Sequence, residues 1–195
     1  MTLNPIPALR AAKKITKGYG GQCLAFVRTA YGVPSKYASA WEAWEHSRMQ
    51  VKATTLDGVP RGAAVFFAPK GSPYGHVAIY AGNGQMITSD SATNKVGSQS
   101  VALWQRAGWK LVGWSLDLNG QCIAGIIGHN YKIGAAGTRV RYAQAHLIAA
   151  GHPLTLDGIY GTATRAAVTA YQRKNGLKPT GTTTRATRKL LNKER

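Results

Sequence analysis

Cys23 lies in GYGGQCLAF, residues 18–26, directly after a glycine-rich turn and at the start of an apolar-periodic run. A cysteine in the first turn of a helix feels the positive end of the helix dipole. Thiolate is favoured there, so its pKa is expected below the free value of about 8.5. Backbone N–H groups at a helix start are also ready donors to an oxyanion. A lone cysteine is commonly just a small buried hydrophobe, so the chemistry needs a partner. The stretch SPYGHVAIYAGNGQMITSD, residues 72–90, supplies one. It reads as a β-hairpin closed by a three-residue loop, Gly82-Asn83-Gly84, with Gly84 left-handed. In that register His76 lies opposite Asp90 and Ala78 opposite Thr88. His76, Thr88 and Asp90 then share one face, while Val77, Ile79 and Ile87 point to the core. A two-residue Asn-Gly loop would instead bring Ser89 and Ser91 to the histidine's face. A histidine held by a carboxylate on the next strand is oriented and tuned as a base. Facing a helix-start cysteine, it completes a Cys–His–Asp arrangement for nucleophilic acyl transfer.

These residues need a scaffold of helix and sheet. Residues 22–32 read as a helix with Leu24, Val27 and Tyr31 on one face, ended by Gly32 and Pro34. ASAWEAWEHS (38–47) reads as a second helix carrying Trp41 and Trp44. From Pro60 the period changes: RGAAVFFAP, GHVAIYA, QMITSD and LVGWS (111–115) are short strands punctuated by turn residues. The glycine-rich text from Asn119 to Gly137 has no clear period, so residues 120–137 are expected as a linker. Three short helical patterns follow, over 139–150, 162–175 and 183–192. This half carries an internal duplication. Asp157-Gly158 and Thr180-Gly181 are each followed at equal offsets by Gly161 or Thr184, then by Thr164 or Thr187. Each copy is a turn leading into a helix, and such units need one another to bury their apolar faces.

Lysine plus arginine number 25 against 7 acids, a net charge of +18. The excess is shared, about +8 in residues 1–119 and about +10 in 120–195. Such a balance predicts attraction to a polyanion: nucleic acid, anionic lipid or the anionic polymers of a bacterial wall. No Lys/Arg run exceeds two residues, which argues against a nucleic-acid arm. Two cysteines make no disulfide framework. His129, His146 and His152 lack metal-ligand spacing and no HExxH occurs, so neither a metal nor a cofactor is expected. The apolar runs are too short for a membrane span. MTLNPIPALRAAKK has no apolar signal region, so a cytosolic product is expected.

GQC at the first helix, then PRGAAVFF, then GHVAIY resemble the CHAP family of papain-like amidohydrolases, common in bacteriophage endolysins. The resemblance covers about residues 15–117. It implies an α+β papain-like (NlpC/P60-type) domain with an antiparallel sheet, with Cys23 as nucleophile and His76 as base. The backbone N–H of Cys23 and the side chain of Gln22 would form the oxyanion site. The family's third residue is usually an acid or amide on the strand after the histidine. Those positions are Thr88 and Asp90 here, and the missing acid at Thr88 moves the expectation to Asp90, with Thr88 auxiliary. Ala63 departs from the family's frequent Asp. ITKGYGGQC lacks the acids with which some relatives bind calcium.

V-x-x-x-Q (140–144), L-x-x-D-G-x-Y-G-x-x-T (154–164) and G-L-x-x-T-G (176–181) are similar to type 1 peptidoglycan-binding domains, which are small three-helix units. The expected organisation is therefore a catalytic domain over 1–119, a linker over 120–137 and a wall-binding domain over 138–195. The resemblance implies a monomeric endolysin that binds peptidoglycan and anionic wall polymers and cuts a wall amide. It would wait in the host cytoplasm until lysis. Trp41, Tyr74 and Tyr160 are candidate substrate contacts, while Tyr171, at helical spacing with Val168, reads as core. A non-catalytic basic protein that binds wall or nucleic acid by charge is the rival reading.

Overall fold

The computed structural model describes residues 5–193. The chain divides into two units, Met1–Ile123 and Ala124–Arg195. In the first, the elements run α1 (Pro5–Lys14), α2 (Cys23–Tyr31), α3 (Ala40–Glu45), β1 (Gln50–Lys52), β2 (Ala64–Phe67), β3 (His76–Gly82), β4 (Gln85–Ser89), β5 (Val96–Ser100), α4 (Val101–Arg106), β6 (Leu111–Ser115), β7 (Asp117–Leu118) and β8 (Gln121–Cys122). Six strands form one sheet in the order β1-β6-β2-β3-β4-β5, with every pair antiparallel. This is the α+β architecture with an antiparallel sheet that the family resemblance implied, and all of its strands but β1 lie beyond the change of period at Pro60.

Helix α2 buries Leu24, Phe26, Val27, Ala30 and Tyr31. It ends where Gly32 turns left-handed at φ 67° and its N–H returns to the helix carbonyls, as a glycine cap does. Tyr31 donates its hydroxyl hydrogen to the carbonyl of Gly62, which ties the helix to the start of β2. On the sheet, Val77, Ile79 and Ile87 are in the core. The residues between them, His76, Ala78 and Thr88, are buried as well, so β3 is covered on both faces.

The hairpin shows why its register was legible although its turn was not. Gly82 pairs with Gln85, leaving the two-residue loop Asn83-Gly84, with φ of 52° and 71°. Positive φ at both positions is what a type I′ turn requires. A bulge between Tyr80 and Gly82 then shifts the pairing by one residue, so that Ile79 faces Ile87. The turn is the two-residue one, and the bulge restores the register of the three-residue one. His76 and Thr88 therefore share a face. The sequence reading missed α1, β1, β5, α4, β7 and β8, which are short or polar or, for α1, lie in a segment read only for targeting.

The second unit contains α5 (Thr138–Ala149), α6 (Thr162–Lys174) and α7 (Arg185–Leu191). Its core joins Ile127, Val140, Ala143, Leu147, Tyr160, Val168, Tyr171 and Leu191. The expected linker is thus corrected. Gln121 and Cys122 pair with β7, closing the first unit. Ile127 belongs to the core of the second, and the Ile127 N–H donates to Asn192 Oδ1 at 2.9 Å. Glycines hide the weak period of this stretch, in which Ile123 and Ile127 are buried while Ile126 and Ile133 are exposed.

The duplication has a structural cause. Gln144, 1 % exposed, donates from Nε2 to Asp157 Oδ1, the Ile159 carbonyl and Thr164 Oγ1, and accepts from the Gly158 N–H at 2.9 Å. Gln172, fully buried, donates to Thr180 Oγ1, the Thr182 carbonyl and Thr187 Oγ1, and accepts from the Gly181 N–H at 2.9 Å. Each amide clamps one turn onto the start of the next helix. Both the N–H donors and the carbonyl oxygen of each buried amide are engaged.

Candidate active site

Cys23 opens α2, and the N-cap Gln22 makes no side-chain cap bond. The backbone N–H groups of Val77, Leu24 and Cys23 itself favour the charged sulfur. Burial outweighs them and pushes the thiol pKa up. This corrects the expectation of a lowered pKa: the helix start is present, but the sulfur is tucked against β3, where desolvation dominates.

His76 opens β3 and is buried. Phe67 pairs with it on β2, with ring centroids 6.2 Å apart. Trp104 from α4 lies 4.4 Å from its ring and Trp109 lies 5.7 Å away. Trp104 is itself anchored, donating from Nε1 to Gln99 Oε1. This aromatic box strips water from the imidazole and lowers its pKa to about 4. The resting pair is therefore a neutral thiol and a neutral imidazole.

The group bonded to the histidine is a hydroxyl. His76 Nε2 and Thr88 Oγ1 are 2.5 Å apart. Asp90, expected to orient His76, is committed elsewhere. Its Oδ1 accepts the N–H groups of Ala92 at 2.8 Å and Thr93 at 3.2 Å, folding the chain beyond β4 into an Asx turn. Alternation put Asp90 on the correct face, but a short acid next to a turn finds backbone donors first.

Two hollows flank Cys23. One, of about 460 Å³, is lined by Cys23, His76, Ser89, Asp90, Trp104 and Trp109, among others. The other, of about 380 Å³, is lined by Gln22, Cys23, Arg28, Tyr37 and Ser39, among others. Tyr74 and Gly75 border both, and Tyr74 is 64 % exposed, so it stands beside the thiol as a substrate contact would. Trp41 does not line either hollow. Its backbone N–H donates to the Tyr74 carbonyl at 2.9 Å, while its side chain borders a separate hollow of about 740 Å³ with Trp44 and Lys110. Tyr160 is fully buried and donates its hydroxyl hydrogen to the Gly181 carbonyl at 3.0 Å. It is a core residue of the second unit rather than an exposed sugar contact, and Tyr171 is core too.

Sequence reasoning missed Trp104, Trp109 and Arg28. The signal was faint: two indoles five apart around a helix end, and one arginine five residues after the cysteine on the same helix.

A family model for CHAP domains matches residues 13–92, and one for peptidoglycan binding domains matches residues 136–191. No curated protein matches the chain significantly. Among solved structures, the endolysin of Burkholderia phage AP3 is 42 % identical over 34 % of this chain and 26 % of that one, with a TM-score of 0.33. A peptidoglycan-binding protein from Clostridioides difficile is 19 % identical over 64 % of this chain and 63 % of its own, with a TM-score of 0.34. The P60 domain of an antigen from M. avium subspecies paratuberculosis is 16 % identical over 57 % of this chain and 92 % of its own, with a TM-score of 0.43. The chain spans about a quarter of the phage endolysin and less than two thirds of the C. difficile protein. Residues 13–92, which hold Cys23, His76 and Thr88, form a CHAP domain, and residues 136–191 form a peptidoglycan-binding domain.

Proposed function

We propose that the chain is a peptidoglycan hydrolase of the endolysin kind, cutting a wall amide with Cys23 while its second unit holds the wall. The observation that carries this reading is the placing of Cys23 and His76 in one hollow of a CHAP domain, in a chain that also carries a peptidoglycan-binding domain. The chemistry follows from the hydrogen bonds. The Thr88 hydroxyl can give its proton to the Ser89 carbonyl, 3.4 Å away, a long and weak bond. It then accepts from His76 Nε2–H, leaving Nδ1 with a bare lone pair. His76 Nδ1 takes the Cys23 proton as the sulfur attacks the amide carbon. The Cys23 backbone N–H, with the Gln22 side chain, steadies the oxyanion. Collapse breaks the C–N bond, Nδ1–H protonates the leaving amine, and water, deprotonated by His76, hydrolyses the thioester. Both groups start neutral, so proton transfer accompanies attack rather than preceding it.

Whether the bond joins muramic acid to L-alanine or lies in the peptide is a choice between amidase and endopeptidase within this reading. The net charge of +18 suits a wall rich in anionic polymers. The enzyme would act after release from the host cytoplasm during lysis. Digestion of purified peptidoglycan, with mass spectrometry of the fragments, tests the class. New amino groups at one amide are expected, with no new glycan reducing ends. Intact amides, or cleavage between sugars, would refute it.

A further inference from the structure

The hollow on the α2 side of Cys23 contains one charged side chain, Arg28, and no acid among the described residues that line it. Arg28 Nε is buried and has no hydrogen-bond partner among the described residues. A buried donor on a cation is costly to leave unmade, and native structures rarely do so without a reason. The usual reason for an arginine at a helix end is to satisfy the last carbonyls. Here the cap has already done that: the Arg28 and Thr29 carbonyls accept from the N–H groups of Val33 and Gly32, at 2.9 and 3.2 Å. Nor does α3 supply a counter-ion. Glu42 turns its Oε2 back to the Ala38 N–H at 2.8 Å, and Ser39 caps the helix through the Glu42 N–H. Arg28 therefore lines a cleft beside the nucleophile with no hydrogen-bond or ion-pair partner for its guanidinium among the described residues.

We propose that Arg28 anchors a free carboxylate of the substrate's stem peptide on the α2 side of Cys23, and so selects acid over amidated forms of the wall. The inference rests on the peptidoglycan-hydrolase reading above and adds to it a substrate feature. A planar guanidinium matches a carboxylate in fork geometry, which an ammonium cannot do. The contact lies away from the reacting bond, so it contributes to binding more than to turnover.

The test compares a soluble stem peptide with all its carboxylates free against the same peptide fully amidated. Affinity is measured by titration calorimetry on the full chain carrying Cys23→Ala, alone and with Arg28→Gln or Arg28→Lys. KM and kcat are measured on the corresponding chains with Cys23 intact. The acid form should bind about 10- to 100-fold more tightly than the amide, the scale of a hydrogen bond to a charged group. Arg28→Gln should bring the acid form down to the amide's affinity and leave the amide unchanged, while Arg28→Lys should restore part of the difference. KM for the acid form should rise and kcat should hardly move. The ratio is read within one folded protein, so a general loss of stability cannot imitate it. Equal affinities for the two forms, equal loss of both in Arg28→Gln, or no binding of either would overturn the anchor. Cleavage without acid preference sinks the anchor alone. Acid-selective binding without amide cleavage sinks the hydrolase reading and leaves the carboxylate site standing.

Discussion

At His76 a hydroxyl occupies the place where a carboxylate was expected. In the proposed reaction a threonine can hold the orientation of the ring but supplies no charge to an imidazolium formed during attack. Thr88→Ala should therefore lower kcat about 10- to 100-fold, the range for a lost hydrogen bond to a group that becomes charged. Asp90→Ala should change kcat only a few-fold, since its carboxylate serves the turn at Ala92 and Thr93. Turnover on a soluble muropeptide, with melting temperatures matched, checks both; the opposite ranking would return the role to Asp90. The aromatic box has a second consequence. Burial lowers the His76 pKa from 6.5 to about 4, so the unfolded chain binds this proton at a higher pH than the folded one. Stability from this group is present above pH 6.5 and is lost as the pH falls toward 4. The loss is about 3 kcal/mol, at roughly 1.4 kcal/mol per pKa unit. Urea unfolding of wild type and His76→Gln at pH 7 and pH 4 should show that difference in the wild type alone.

Elements differ in how plainly their sequences announce them. Helix α2 was legible because its apolar residues follow the helical period and Gly32 marks its end with a left-handed φ. Strands β2, β3, β4 and β6 were legible as short apolar runs between turn residues, although their burial is nearly continuous. The His76–Thr88 face was legible through alternation, even though the loop is shorter than expected and a bulge makes up the difference. Which polar group on that face would bond the ring was not legible. That choice depends on what else Asp90 can reach, and its nearest donors are local backbone. Trp104 and Trp109 were invisible as site residues, because contact with His76 requires α4 and β6 to fold back across the sheet. The paired glutamines lie between these extremes: the duplication was readable, but its hydrogen bonds were not. Gln144→Leu leaves the buried Gly158 N–H unpaired, and Gln172→Leu does the same to Gly181. Each should cost about 2–4 kcal/mol, a buried unmade bond plus the rest of its network. Denaturant unfolding of residues 124–195 should show similar losses for both, and a negligible change in either would break the equivalence.

For the molecule as a whole, the division lies between Ile123 and Ala124, not after a linker ending at residue 137. A piece starting at residue 138 omits Ile127 from its core, so residues 124–195 are the better binding module. That piece should pellet with purified walls at low salt, and less as ionic strength rises, since exposed charges are screened over about 10 Å at 0.1 M. Salt-independent pelleting would mean that neutral contacts carry the binding. The proposed reaction depends most directly, however, on the sulfur of Cys23. The rate at which new amino groups appear in purified peptidoglycan should be measured for wild type, Cys23→Ala and Cys122→Ala, each shown to be folded. Cys122 is buried and lines neither hollow, so its variant should match wild type. Cys23→Ala should fall by about 10⁴-fold or more, the scale on which loss of a covalent nucleophile is felt. A Cys23→Ala enzyme that keeps releasing amines near the wild-type rate would contradict the mechanism outright.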